Sequence, residues 1–141
     1  MINLGVIQQL MTTRQLKLFK KLELTYSQFS LLNHFSHNPE RSWTVTELAR
    51  SMEMNQPGIT KVVSTLLKKN LLSVKIDQYD ARKRHISITH RGLKLCQKTM
   101  NQLSPDVAFI LKNWTDQDLK QMQHHLEKLM HVLDSHREDI K

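Results

Sequence analysis

The sequence predicts a mainly α-helical fold that carries one small antiparallel β-hairpin. Three observations lead there. Apolar residues recur at helical spacing through most of the 141-residue chain. The period switches to two only in two short runs between Leu72 and Thr89. Three glycines and three prolines mark a compact chain without flexible linkers or low-complexity tracts.

Residues 4–22 read as a helix with Leu4, Ile7, Leu10, Met11 and Leu18 toward one side. After a break at Leu24-Thr25, a shorter helix from Ser27 to His37 buries Phe29, Leu32 and Phe35 and ends at Asn38-Pro39. The stretch from Thr44 to His90 is the most informative. Thr44 can cap the amide of Glu47 while Glu47 reaches back to the amide of Thr44, a capping box that opens a helix. Its apolar stripe is Val45, Leu48, Ala49 and Met52. Glu53-Met54-Asn55 breaks the pattern, and Asn55 is a good N-cap for a second helix that runs to about Lys69. Ile59, Val62, Val63, Leu66 and Leu67 share one face of that helix. The other face holds Gln56, Gly58, Thr60, Lys61, Ser64, Thr65 and Lys68, with no acid among them, and suits an anion.

Asn70 is expected to end that helix in a left-handed conformation. Leu72, Val74 and Ile76 then alternate with polar residues, as do Ile86 and Ile88, which predicts a half-buried antiparallel pair. The connection from Gln78 to Arg84 presents Arg82, Lys83 and Arg84 at its tip, and Ser42-Trp43 is placed to add a short third strand. Taken alone, the loop fits any small α+β domain with a solvated basic tip. Helix, turn, helix and basic hairpin in unbroken order are the layout of a winged helix-turn-helix, a device for reading duplex DNA.

The chain then returns to helix. One starts near Thr89 and passes Leu93, Cys96 and Met100, with a kink or interruption expected at Ser104-Pro105. The last begins at Thr115 as cap with Asp118 at its third position. Leu119, Met122, Leu126, Leu129 and Leu133 follow the alternating three-and-four spacing of a helix-pair seam. Such a seam packs within one chain or between two. A terminal helix this long overhangs a lobe of about 75 residues, which favours a second copy, and a dimer gives DNA binding its symmetry. The expected organisation is a single domain over 1–141, with the DNA-binding lobe at 25–98 and a helical dimerisation region at 1–24 and 99–141.

Charge follows the same division. The net charge is +8. Residues 55–98 hold ten basic and two acidic residues, net +8, against net +2 for residues 1–54 and net −2 for residues 99–141. The excess is a footprint on the second helix, the hairpin and the start of the next helix. Cys96 is the sole cysteine, so no intrachain disulfide forms. No apolar run approaches membrane-spanning length and no signal peptide is legible, so a cytoplasmic protein without membrane contact is expected.

These motifs resemble the MarR family of bacterial transcription regulators. The likeness is carried by Leu24-Thr25-Tyr26-Ser27-Gln28-Phe29, by Thr44 with Glu47-Leu48-Ala49, by Ile59-Thr60-Lys61, by Asp80-Ala81-Arg82 and by Ile88-Thr89-His90-Arg91-Gly92. It covers about residues 24–95, the flanking helices matching only in length and placement. The resemblance implies a winged-helix homodimer on a palindromic operator, most often a repressor relieved by a small ligand or by oxidation. It places Gln56, Thr60, Lys61 and Ser64 as base and phosphate readers in the major groove, with Pro57, Gly58, Thr65 and Lys68 on the same surface. Arg82 matches the wing-tip residue that enters the minor groove, Lys83 and Arg84 the phosphate contacts, and Asp80 the support of the turn. Leu4, Ile7, Met11, Leu119, Met122, Leu126, Leu129 and Leu133 would form the dimer helices. Two departures stand out. The family usually has Gly where Asn70 lies, and Ser or Thr where Pro57-Gly58 opens the recognition helix, so a side-chain contact is exchanged for a close approach of the backbone.

Other readings carry less. His124, His125, His131 and His136 crowd the last helix, but they show no recognisable metal-ligand spacing, and solvated histidines explain them. Cys96 sits on the apolar side of its helix and reads as a buried structural thiol. Trp43, Tyr26 and His34 fit either the core or the effector cleft of the family. No Ser-His-Asp set or phosphate loop supports an enzyme, and neither cofactor nor metal is called for. The alternative is a winged-helix module that docks protein, or that binds DNA without sequence preference as an architectural element.

Overall fold

The computed structural model describes residues 2–80 and 83–136. The elements in chain order are α1 (Ile2–Phe19), α2 (Tyr26–Ser36), α3 (Val45–Ser51), α4 (Gln56–Lys68), β1 (Leu72–Ile76), β2 (Arg84–Ile88), α5 (His90–Leu111) and α6 (Asp116–Ser135). The chain divides into two compact units, Met1–Leu103 and Ser104–Lys141.

The first unit holds the core. Leu31, Leu32 and Phe35 of α2 meet Leu48 and Ala49 of α3, Ile59, Val63 and Leu66 of α4, and Ile86 and Ile88 of β2. Leu24, Leu71, Leu72 and Cys96 close it. Burial of each large side chain contributes about 1.5–3 kcal/mol, and this cluster holds α4 and the hairpin in place. The end of α1 joins through rings: Phe19 lies 5.6 Å from both Tyr26 and Phe29 of α2. Leu4, Ile7, Leu10 and Met11 of α1 remain exposed.

Local chemistry sets the helix ends. Thr44 and Glu47 form the expected capping box, and Asn55 Oδ1 accepts from Gly58 N at 2.7 Å. A second box, Thr25 with Gln28, starts α2 one residue earlier than the apolar pattern predicts. The turn between α3 and α4 is a Schellman closure, Met54 N donating to Ala49 O and Glu53 N to Arg50 O. Glu53 sits there at φ 50°, a left-handed position that no glycine or asparagine announces. The same closure ends α4, Leu71 N donating to Leu66 O and Asn70 N to Leu67 O, with Asn70 at φ 56° as expected.

The hairpin pairs Leu72 with Ile88, Val74 with Ile86 and Ile76 with Arg84. It is less buried than its alternation predicts. Val74 and Ile76 are exposed, because the hairpin projects past the core and only its base and β2 touch it. The expected third strand shrinks to one residue: Trp43 exchanges both backbone hydrogen bonds with Ile86, at 2.9 and 2.8 Å. The start of α5 presses on the end of α4. A Cβ on Gly92 would lie 2.2 Å from Leu71 O and 2.9 Å from Ile88 Cγ1. Thr89 Oγ1 accepts from Gly92 N at 3.0 Å and directs its own proton to the carbonyls of Asn70 and Leu71, 2.9 and 3.1 Å away.

The interruption expected at Ser104-Pro105 does not occur, since α5 runs through Pro105 to Leu111. The imino nitrogen forfeits one backbone bond, and intact turns on both sides carry the helix on. In the second unit α6 starts with the Thr115–Asp118 capping box and has no buried residue. Its seam residues Met122, Leu126, Leu129 and Leu133 are exposed.

Candidate nucleic-acid interface

The solvent face of α4 is the first part of the site. Gln56, Pro57, Thr60, Lys61, Ser64 and Lys68 are exposed, and Gly58 and Thr65 are half-buried. Three of these side chains carry internal bonds that the sequence did not reveal. Gln56 Nε2 donates to Thr46 Oγ1 at 3.3 Å. Thr60 Oγ1 donates to Gln56 O at 2.8 Å, and Thr65 Oγ1 to Lys61 O at 3.0 Å. Each hydroxyl proton is therefore committed to the preceding turn, which leaves the oxygen of the exposed Thr60 as an acceptor. An acceptor cannot hold a phosphate. It can take a proton from a base amino group.

Gly58 has a local reason. A Cβ there would stand 2.9 Å from Asn55 Oδ1, so the glycine lets the N-cap close tightly on the first turn. Lys69 turns away from the outer face. Its Nζ donates to Glu23 O at 3.5 Å and to Gln28 Oε1 at 3.4 Å, tying the end of α4 to the corner before α2. Glu23 also pairs with Lys98 of α5, which holds its carboxyl below the usual range.

The hairpin connection is the second part. Lys83 and Arg84 are exposed there; Arg82 lies outside the described residues. Asp77, which the sequence did not single out, organises the turn. Asp77 Oδ1 accepts from Tyr79 N at 2.8 Å and Asp80 N at 3.0 Å, while Oδ2 stands 2.9 Å from His85 Nε2. The His85 contact and the two amides draw the Asp77 carboxyl down to about 2. Asp80 O accepts from Lys83 N at 2.9 Å, and Lys83 O accepts from Asp77 N at 3.0 Å. An aspartate two residues before a turn amide is a readable Asx signal.

The remaining candidates separate. His34 and Trp43 come together with ring centroids 4.6 Å apart, and the Arg41 guanidinium lies 3.6 Å over the Trp43 ring. Burial, then His37 and Arg41, push the His34 imidazole below its ordinary range. Tyr26 packs apart from them on Phe19. Cys96 is buried, and burial pushes its thiol up. His124 and His125 have ring centroids 5.6 Å apart, and among the described residues no three His, Cys, Asp or Glu side chains converge to hold a metal ion. No helix among the described residues is long and apolar enough to cross a membrane.

A sequence model of the MarR family matches residues 22–83, the span from the corner before α2 to the hairpin connection. Over that span the chain is similar to the MarR family. Solved structures of MarR-family proteins share its fold. A MarR protein from Peptoclostridium difficile is 21% identical with a TM-score of 0.78, the alignment covering 99% of this chain and 90% of that one. MepR of S. aureus, solved as a complex with DNA, is 18% identical with a TM-score of 0.76, over 94% of this chain and 96% of that one. Wild-type MarR of E. coli in its apo form is 19% identical with a TM-score of 0.69, over 89% and 95%. No curated protein matches the chain significantly. In this shared fold α3 and α4 form the helix-turn-helix, and β1 and β2 form the wing.

Proposed function

We propose that this chain is a MarR-family regulator of transcription that binds duplex DNA sequence-specifically, as a homodimer on an inverted repeat. One observation carries the reading: the outer face of α4 is exposed, free of acid and fixed on a buried apolar face, with Lys61 and Lys68 at the surface. A helix about 10–12 Å across enters a major groove about 12 Å wide, and its outward side chains meet base edges. Lys61 and Lys68 supply charge to phosphate. Thr60 offers an acceptor to an adenine or cytosine amino group. Gln56 addresses an adenine by exchanging its Thr46 bond for two bonds to the base. Lys83 and Arg84 flank the groove from the wing, and the minor-groove role of Arg82 rests on the sequence resemblance alone. That MepR of S. aureus was solved with DNA supports the same use of the shared fold.

Homodimer formation is supported by the exposed apolar residues of α1 (Leu4, Ile7 and Met11) and of α6 (Met122, Leu126, Leu129 and Leu133). Faces of this kind are costly to leave in water. Leu119 shares the α6 spacing and is half-buried. Repression by occupancy, and release of the operator by a small ligand that favours another spacing of the two recognition helices, complete the proposal on the strength of the family alone.

Selection of bound sequences from a random duplex pool tests it. Enrichment of one inverted repeat with half-sites about one helical turn apart is the expected result. Salt-sensitive binding without enrichment would replace the regulator by an architectural protein.

A further inference from the structure

Tyr79 is 96% exposed, an aromatic ring standing almost wholly in water at the end of the wing. Its backbone is fixed. The amide donates to Asp77 Oδ1, the next amide donates to the same oxygen, and the other carboxylate oxygen meets His85 on β2. The root of the side chain is therefore clamped while the ring extends outward. The exposed charges around it are Lys75, Lys83 and Arg84, all cationic, whereas Asp77 is half-buried and turned into its own hydrogen bonds. An exposed aromatic on a fixed backbone, in a wing whose exposed charges are cationic, complements a polyanion that has flat apolar surfaces between its charges, as the sugars of a duplex provide.

We propose that Tyr79 is a backbone-contacting residue of the wing, its ring against a deoxyribose and its hydroxyl donating to a phosphate oxygen, and that Asp77 is the positioning residue that holds it there. The proposal rests on the DNA-binding reading above. Hydroxyl-to-phosphate bonds fix register on the duplex and carry no sequence information. The tyrosine hydroxyl is neutral, so its contact releases no counterion. Loss of Tyr79 must weaken binding at every salt concentration by the same factor, whereas loss of a contacting lysine also reduces the salt slope by about 1. This distinction separates Tyr79 from its neighbours.

The experiment is a fluorescence-anisotropy titration of a mixed-sequence duplex about three helical turns long, across a salt series, with the full chain. Tyr79→Ala is expected to lose about tenfold in affinity and Tyr79→Phe about threefold, both with the wild-type salt slope. Asp77→Ala is expected to cost at least as much and to erase the effect of adding Tyr79→Ala. Asp77→Asn keeps the acceptor for both amides and should retain most of it. Wild-type affinity in Tyr79→Ala would overturn the proposal and assign the exposed ring to a protein partner. A full Tyr79→Ala loss persisting in the Asp77→Ala background would overturn the role of Asp77. Absence of salt-sensitive duplex binding by the wild-type chain would instead overturn the DNA-binding reading, and the proposal with it.

Discussion

Gln56 Nε2 at the start of α4 donates to Thr46 Oγ1 at the start of α3, across 3.3 Å. The bond joins the first turns of the two helices of the helix-turn-helix and sets the resting direction of a proposed base reader. Gln56→Ala is expected to relax selection at one base-pair position, costing about 1–3 kcal/mol of discrimination there. Thr46→Val removes the acceptor and should broaden the bases accepted at that position while overall affinity holds. Sequencing of duplexes selected by each variant reads both. An unchanged preference in Gln56→Ala would remove it from base recognition.

The wing supplies a second test through charge. Arg82→Ala is expected to weaken operator binding strongly at unchanged thermal stability. Six to ten phosphate contacts per dimer give a slope of log affinity against log salt of roughly −5 to −9 for the wild-type protein. Mobility-shift titrations over a salt series measure both, and unchanged affinity in Arg82→Ala would take its side chain out of the interface.

Acid should loosen the wing before it unfolds the lobe. The Asp77 carboxyl falls from its ordinary 3.8 to about 2 in the folded chain, chiefly through His85 and then through the amides of Tyr79 and Asp80. A depressed carboxyl stabilises the fold above its unfolded value, and that stabilisation is lost as pH falls through the folded one. Protection of the Tyr79 and Asp80 amides against hydrogen exchange should therefore decline between about pH 4 and pH 2. Asp77→Ala, which removes the acceptor, should show the lower protection already at neutral pH, without further acid dependence in that window.

Two backbone positions predict opposite tolerances. Asn70 at φ 56° accepts glycine, so Asn70→Gly should fold at least as stably, whereas Asn70→Ala should lose about 1 kcal/mol. Gly92 accepts nothing larger, because a Cβ would meet a backbone oxygen at 2.2 Å. Gly92→Ala should cost several kcal/mol, about the size of a severe core lesion. Urea unfolding curves compare the variants directly.

The exposed seam of α6 makes the assembly testable. Leu126→Glu with Leu129→Glu introduces four like charges into a two-copy interface and should yield monomers in sedimentation equilibrium. A dimer that survives both substitutions would place its interface elsewhere.

The lobe was readable because its determinants are local. Capping at Thr44 and Asn55, the left-handed Asn70 and the apolar stripes of α3 and α4 lie within a few residues of what they control. The family resemblance added what those stripes leave open, the assignment of α4 to the groove. The full role of Asp77 was illegible because its bond to His85 depends on the pairing of strands. The exposure of Val74 and Ile76 was illegible for a related reason: alternation marks which face of a strand is apolar and cannot say how far the core extends beneath it. The glutamate at φ 50° and the helix running through Pro105 were illegible because backbone hydrogen bonds on either side outweigh the preference of a single residue.

The contact of Gly92 with Leu71 bears on how α4 is held. Thr89 bridges the end of α4 to the beginning of α5, and the missing side chain at position 92 lets the two backbones touch without an intervening cushion. The end of one helix and the start of the other thus form a single joint, and no side chain can be added there without parting the two backbones.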